Sequence, residues 1–416
     1  MTQEKKSTQA KKVTTAKKEK FLKVPYAQQV SGKEEVRAVV KALEATTQMG
    51  VYVRDLQTRV AKLFDKKYGV GVNSGSSALL LAMESFEFPK GSEVITPALT
   101  FSTTVSSILK AGLIPSFVDV EPATFCVDPE KIKEMITPKT KAILAPNLIG
   151  NICNWPAITL IAKRHGLKII EDSADTLGAT LGGKSSGHFA DVSTTSFYGS
   201  HIVSAAGNGG MICLNDKEQL RRILLLRSWG RSSSLFVDSE AIENRFSVKV
   251  DGIPYDAKFV FEAIGYNLEP SEIGAAFGLV QLKKLGSNLR TRQKNFKKQY
   301  AFFKQYERWF ILPVQTPDTS TGWLAFPVIV RPEAPFKRTA LQIFLEKRGI
   351  QTRVLFTGNI LRQPGFKNIE CKVTREGYPN ADRVMRGGML IACHHGLSKE
   401  MLAHVHEALT EFLGQY

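Results

Sequence analysis

His201 is the residue with most chemistry to offer. It lies between Ser196-Phe197 and the glycine run Gly207-Asn208-Gly209-Gly210, a strand, loop and strand pattern in which an imidazole can exchange protons near neutrality. Upstream, the apolar run from Leu167 to Ile170 ends in Glu171-Asp172-Ser173-Ala174-Asp175, which puts carboxylates at a strand terminus. Further upstream, Asn73-Ser74-Gly75-Ser76-Ser77 leads directly into an apolar helical pattern. A Gly/Ser turn opening a helix presents free amides, hydroxyls and the positive end of the helix dipole, a donor set suited to phosphate. Each also has a plain reading: a hydrogen-bonded loop histidine, a strand-end carboxylate, an ordinary N-cap. Arg353, Asn359 and Arg362 share a polar stretch downstream, where they could bind a carboxylate or nucleotide phosphate of a substrate or make structural salt bridges.

The elements that must position these residues alternate. Strand patterns at Tyr68–Val72, Glu93–Thr96, Ile114–Asp119, Thr140–Ala145 and Leu167–Ile170 are separated by helical patterns at 78–85, 101–111, from Pro129, and at 156–165. Such alternation implies an α/β fold with a mostly parallel sheet covered on both faces. Ligands in these sheets collect beyond the carboxyl ends of the strands. Ser74–Ser77, Pro97–Thr104, Asn147–Asn151 and Glu171–Asp175 should therefore line one crevice. The organisation expected is a basic arm at 1–24, a large domain at 25–288 and a smaller α/β domain at 289–416, the latter starting on a basic amphipathic helix from about Leu289.

With 43% hydrophobic and 23% charged residues, the composition is that of a globular protein. No apolar run approaches the ~20 residues of a membrane span, and no signal-peptide core follows the basic start, so cytoplasm is the expected compartment. Cys126, Cys153, Cys213, Cys371 and Cys393 are scattered and never paired as CxxC, which speaks against a disulfide framework and a zinc site. Of the net charge of +17, residues 1–23 contribute +6, eight lysines against Glu4 and Glu19. That arm lacks an apolar face and reads as a disordered solubilising segment rather than a nucleic-acid tail. The remaining positive excess suits an anionic small-molecule substrate.

Together, Asn73-Ser74-Gly75-Ser76, Pro97-Ala98-Leu99-Thr100-Phe101, Glu171-Asp172-Ser173-Ala174, Ser196-Phe197, Gly207-Asn208-Gly209-Gly210 and Gly265-Tyr266-Asn267 resemble, in order and spacing, the motifs of the DegT/DnrJ/StrS family, a branch of the fold-type I pyridoxal phosphate enzymes. The resemblance covers the chain from about residue 25 onward. It implies the fold-type I transferase fold, with Gly75, Ser76 and Ser196 on the cofactor phosphate, Phe101 stacked on the ring and Asp172 on the ring nitrogen. It also implies a homodimer with shared active sites, Asn267 reaching the partner's phosphate. Asn208 stands where the family usually has glutamate.

Aminotransferases of this family carry at position 201 the lysine that binds the cofactor aldehyde. Imidazole cannot form that Schiff base, so the resemblance implies a non-covalently held cofactor, PLP or its amine form PMP. A histidine here resembles the NDP-4-keto-6-deoxyhexose 3-dehydratases of dideoxysugar biosynthesis, with His201 as the catalytic acid and base. Ile169-Ile170-Glu171-Asp172, Ser228-Trp229-Gly230-Arg231 and Phe356-Thr357-Gly358-Asn359 resemble most closely the members acting on CDP-4-keto-6-deoxyglucose. Those members hold an iron-sulfur cluster on cysteines and draw electrons from a partner reductase. Here the corresponding positions are Ala174 and Ser232-Ser233-Ser234-Leu235. Cluster ligands are thiolates, so no cluster is expected, and L-glutamate is the expected amino donor. A PMP enzyme without C3 elimination and a silent scaffold are the competing expectations.

Overall fold

The computed structural model describes residues 21–236 and 240–416, so most of the arm expected at 1–24 lies outside the described residues. Where the chain becomes described it is already docked. Val24 is fully buried, its N–H donates to Gly349 O at 2.9 Å, and it bridges Ile350 in parallel. Val24, expected to end the arm, instead supplies an apolar side chain and a backbone pair to the C-terminal layer.

Seven strands form the main sheet: β1 (Tyr68–Val72), β2 (Glu93–Pro97), β3 (Ile114–Val118), β4 (Thr140–Pro146), β5 (Lys168–Asp172), β6 (Val192–Ser196) and β7 (Gly210–Leu214). Their spatial order is β1-β7-β6-β5-β4-β2-β3. The pairs from β6 to β3 are parallel, while β7 runs antiparallel to both β6 and β1. Central strands such as β2 are buried along their whole length, as a sheet covered on both faces requires.

Helices α1 (Lys33–Ala45), α2 (Val51–Leu63), α3 (Gly75–Glu84) and α4 (Ser102–Lys110) precede α5 (Glu272–Lys283) and α6 (Leu285–Lys304) in chain order. The Ser74 side chain caps α3 by accepting from Ser77 N, and Ser271 caps α5 by accepting from Gly274 N. Only Lys284 separates α5 from α6. The second layer so begins at Leu285, four residues before the expected start, because the helix that carries the chain out of the large sheet is continuous from there.

That layer holds a four-stranded antiparallel sheet built from Phe310–Ile311, Phe326–Val330, Gly388–Ile391 and Arg353–Val354 in that spatial order. Its core includes Val24, Phe303, Phe310, Trp323 and Phe326, and it reaches across to Leu99 and Ile149 of the large layer. The crevice between the layers runs along the carboxyl ends of β2, β4, β5 and β6.

Candidate active site

Asp172 ends β5, and Ser196, at the end of β6, lies two residues beyond Thr194, the partner of Asp172 across the sheet. The two side chains are thus offset by about 7 Å along the strands. The first turn of α3 closes over Ser196. A Cβ on Gly75 would lie 2.7 Å from Ser196 Cβ, so only glycine lets the helix terminus come so near. Gly210 is similarly confined, since a Cβ there would meet Ser74 O at 2.3 Å. Ser76 is exposed at the same helix end, and the first-turn amides of Gly75 and Ser76 precede the regular helix bonds. These groups make one pole, rich in N–H and O–H donors.

The other pole is acidic. Asp172 is 7% exposed and accepts from Thr104 Oγ1 at 3.0 Å and from Ala174 N at 3.2 Å. Burial pushes its carboxyl up to about 6, against those two hydrogen bonds, which act downward. Such a carboxylate calls for a cation or N–H donor opposite it. Phe101, the residue before α4, is half exposed, with its ring edge-on to Phe356 at 5.9 Å between centroids. An exposed aromatic face, a phosphate-type donor set and a buried carboxylate at this separation fit a flat, phosphorylated, protonated ring such as pyridoxal or pyridoxamine phosphate.

His201 lies on the loop after β6. Its Nδ1 is 3.3 Å from Ser196 O. A carbonyl only accepts, so Nδ1 carries the proton and the Nε2 lone pair is left free. Nε2 is 3.9 Å from Asp175 Oδ1, and the ring meets Tyr198 edge-on at 5.9 Å. The sequence suggests an imidazole titrating near neutrality. The structure lowers it to about 4, first through burial and also through the field of Arg292. At neutral pH His201 is thereby a base.

Two participants carry little or no signal in the sequence, and a third, Thr104, shows there only as the end of the Pro97–Thr104 stretch. Arg292 sits on α6, which reads as a basic amphipathic helix, and is fully buried, donating through Nη1 to Trp323 O at 3.1 Å and Leu324 O at 3.0 Å and through Nε to His395 Nδ1 at 3.2 Å. Tyr26 reaches the cleft from the N-terminal segment, where Arg353 stacks over its ring at 5.4 Å. Thr104 is buried. Asp175, three residues past Asp172, was at least visible as a neighbouring acid.

The remaining expected residues are placed differently. Asn359 donates to Asp382 Oδ1 at 2.8 Å and caps a short turn, and Arg362 pairs with both oxygens of Asp382 at 2.6 and 2.5 Å. Both are thus turned onto a structural carboxylate, while Arg353 stays on the cleft side. Asn267 is exposed and bridges Ser228, in a segment whose next residue accepts the Asn73 N–H at 3.0 Å. Asn208 lines a cavity of about 540 Å³ on the flank of α3, with Asn73, Ser74 and Glu269. Ser232 Oγ donates to Ala257 O at 3.0 Å.

A two-layer α/β chain with this pairing of a glycine-serine phosphate cradle and a buried strand-end aspartate is a pyridoxal phosphate-type, fold-type I protein. The model of the DegT/DnrJ/EryC1/StrS aminotransferase family matches residues 29–410, and the chain belongs to that family. It is 35% identical over 394 residues to the dTDP-4-dehydro-2,6-dideoxy-D-glucose 3-dehydratase of Saccharopolyspora spinosa, covering 92% of this chain and 84% of that one. The E. coli GDP-4-keto-6-deoxy-D-mannose-3-dehydratase with bound hydrated PLP superposes with a TM-score of 0.84 at 30% identity, over 94% of this chain and 100% of that one. A GDP-4-keto-6-deoxymannose-3-dehydratase with a trapped PLP-glutamate geminal diamine gives 0.82 at 30% identity, over 92% and 99%.

Proposed function

We propose that this protein is a PLP/PMP-dependent 3-dehydratase that removes the C3 hydroxyl of a nucleotide-linked 4-keto-6-deoxyhexose in deoxysugar biosynthesis. The observation that carries the reading is a histidine, not a lysine, at the loop facing the Asp172 and Ser196 poles, with its Nδ1 proton committed to Ser196 O. When bound, the cofactor ring supplies an electron sink that lets a hydroxyl leave from the carbon beside the substrate carbonyl. The protein does the rest. Gly75, Ser76 and Ser196 hold the phosphate without a covalent link. Asp172, oriented by Thr104, keeps the ring nitrogen protonated. Phe101 covers one ring face. His201 takes up a proton at Nε2 and returns it to the departing hydroxyl, so that one group serves as base and then as acid.

The relative trapped with a PLP-glutamate adduct supports L-glutamate as the amino donor. A homodimer is supported by a run of exposed apolar side chains beside Asn267: Ile253 (63%), Phe259 (58%), Phe261 (56%) and Ile264 (98%). Surfaces of this kind mark protein contacts, and the proposal has Asn267 meet the partner's cofactor phosphate there. Among the described residues no helix is long and apolar enough to cross a membrane, in keeping with a cytoplasmic enzyme.

The test is incubation with PLP, L-glutamate and a panel of GDP-, CDP- and dTDP-linked 4-keto-6-deoxyhexoses, with mass detection of oxygen loss at C3. Running it with and without an electron-donating reductase reads the reductase requirement. Oxygen loss from one of the panel is expected; amination with C3 oxygen retained overturns the reading.

A further inference from the structure

We propose that Asp175 is a positioning residue for His201, its carboxyl and the imidazole Nε2 forming a pair that holds one proton between them. The inference rests on the reading of His201 as the acid and base, and it adds the partner that makes a buried imidazole able to carry charge.

Both members are aimed by their outer hydrogen bonds. His201 is fixed from behind by Ser196 O, which leaves Nε2 as the end facing Asp175 Oδ1 at 3.9 Å. Asp175 is fixed from behind by Ile149 N, which donates to Oδ2 at 2.9 Å. Ile149 adopts φ 59°, a left-handed conformation rarely taken by a β-branched residue. That backbone is held in place from the second layer: Leu324 N donates to Ile149 O at 2.8 Å, and Arg292 Nη1 binds the carbonyls of Trp323 and Leu324. A Cβ on Gly150 would lie 2.6 Å from Trp323 Cα, so the turn has no room to relax. The strain is retained where its result is an N–H aimed at Asp175.

The surrounding charges show why His201 needs a carboxylate. The groups that face the pair are Asp172 from β5, Tyr198 from the His201 loop, Tyr26 from the N-terminal segment and Arg292 from α6. Burial and Arg292 both disfavour an imidazolium. Burial pushes the Asp175 carboxyl up to about 7, with Asp172 adding to that and Arg292 opposing it. With the carboxyl raised above the imidazole, the first proton taken up as pH falls sits on Asp175, 3.9 Å from Nε2. In the reaction the proton leaving carbon bonds to Nε2, the new imidazolium is neutralised by the Asp175 carboxylate, and the proton departs with the C3 oxygen as water. Asp175 ends unchanged and no electrons pass through it.

The test uses full-length protein, free of cofactor, labelled with ¹⁵N-histidine. The wild-type His201 nitrogens should shift in two steps, one near neutrality as the facing Asp175 carboxyl takes its proton and one well below it as the imidazole itself is protonated, and Asp175→Asn should remove the upper step, leaving an imidazole neutral down to about pH 5. Asparagine still accepts from Ile149 N, and an unchanged circular dichroism spectrum checks the fold. With the cofactor-loaded protein and its nucleotide sugar, Asp175→Asn should lower kcat about 10- to 100-fold with KM changed less than about 3-fold, and Asp175→Glu should recover part of the loss. Identical ¹⁵N titrations of His201 in wild type and Asp175→Asn overturn the proposal. If no nucleotide sugar is dehydrated, the dehydratase reading fails while the ¹⁵N experiment still decides the pair.

Discussion

Thr104 Oγ1 donates to Asp172 Oδ2 at 3.0 Å across the crevice from α4 to the end of β5. A buried carboxylate is thereby oriented by a neutral hydroxyl rather than neutralised by a cation, which leaves its charge free for the ring nitrogen of a bound cofactor. Asp172→Asn should remove that charge while its amide oxygen still accepts from Ala174 N and its NH2 donates to the Thr104 hydroxyl, which can turn to accept. Turnover should fall at least 10²-fold with the circular dichroism spectrum unchanged; near-normal turnover by the folded variant would rule out the assigned role.

The same substitution has a stability consequence whose sign is opposite to that of most active-site losses. A carboxyl whose folded value, about 6, lies above its ordinary value binds its proton more tightly in the folded chain. The stability it contributes is full below about pH 4 and is lost as pH rises through 6, at about 3 kcal/mol in all. The cofactor-free Asp172→Asn protein should therefore melt higher than wild type at pH 8 and no higher at pH 4. Parallel melting curves at the two pH values check this, and an advantage independent of pH would contradict it.

Gly75→Ala should weaken cofactor retention. The new Cβ would enter the space of Ser196 Cβ at 2.7 Å, pushing the α3 terminus off the phosphate and costing about 1–3 kcal/mol in packing. Fluorescence titration with PMP should give a dissociation constant raised about 10-fold or more. An unaltered constant would place the phosphate elsewhere.

His201→Lys should create a borohydride-reducible bond between the protein and PLP, because an amine replaces an imidazole at the loop position facing the cradle. C3 dehydration should fall about 10²- to 10⁴-fold at the same time. His201→Asn should lose dehydration while still binding PMP, since Gly75, Ser76, Ser196 and Asp172 are untouched. Undiminished dehydration by the asparagine variant would reduce His201 to a loop residue.

Ile264 is 98% exposed, so replacing it by aspartate removes no internal packing. Ile264→Asp should shift the protein toward monomer in sedimentation velocity and lower activity in parallel. A variant that sediments and turns over as wild type does would move the subunit contact to another face.

The large layer was legible because its strands are buried on both faces and punctuated by glycine, serine and acidic turns, so the ends of β4, β5 and β6 could be set side by side from the order of motifs. Gly75 and Asp172 follow from that alignment, while the roles expected of Ser196 and His201 came from the family resemblance of the motifs. Arg292 was hard to read because arginine is ordinarily exposed; its helical spacing from Leu285, Phe296, Gln299 and Phe303 puts it on the buried face of α6, but only the tertiary fold supplies the Trp323 and Leu324 carbonyls that receive it. Asn359 and Arg362 were open to two readings for a related reason. Their partner, Asp382, is some twenty residues away in a separate helix, and only the tertiary fold shows that it takes both. The lowered basicity of His201 likewise comes from burial, which the residue type alone cannot state.

The bridge of Val24 to Ile350 makes the first described residues part of the second layer. A few positions later Gln29 accepts from Ser204 Oγ at 3.1 Å, and Val30 O accepts from Gln281 Nε2 at 2.9 Å, which binds the chain to the first layer. This short segment is therefore a mechanical linkage as well as a lining. Tyr26, with Arg353 stacked on its ring, sits midway along that strap, tethered through Val24 to the second layer and through Gln29 to the loop that carries His201.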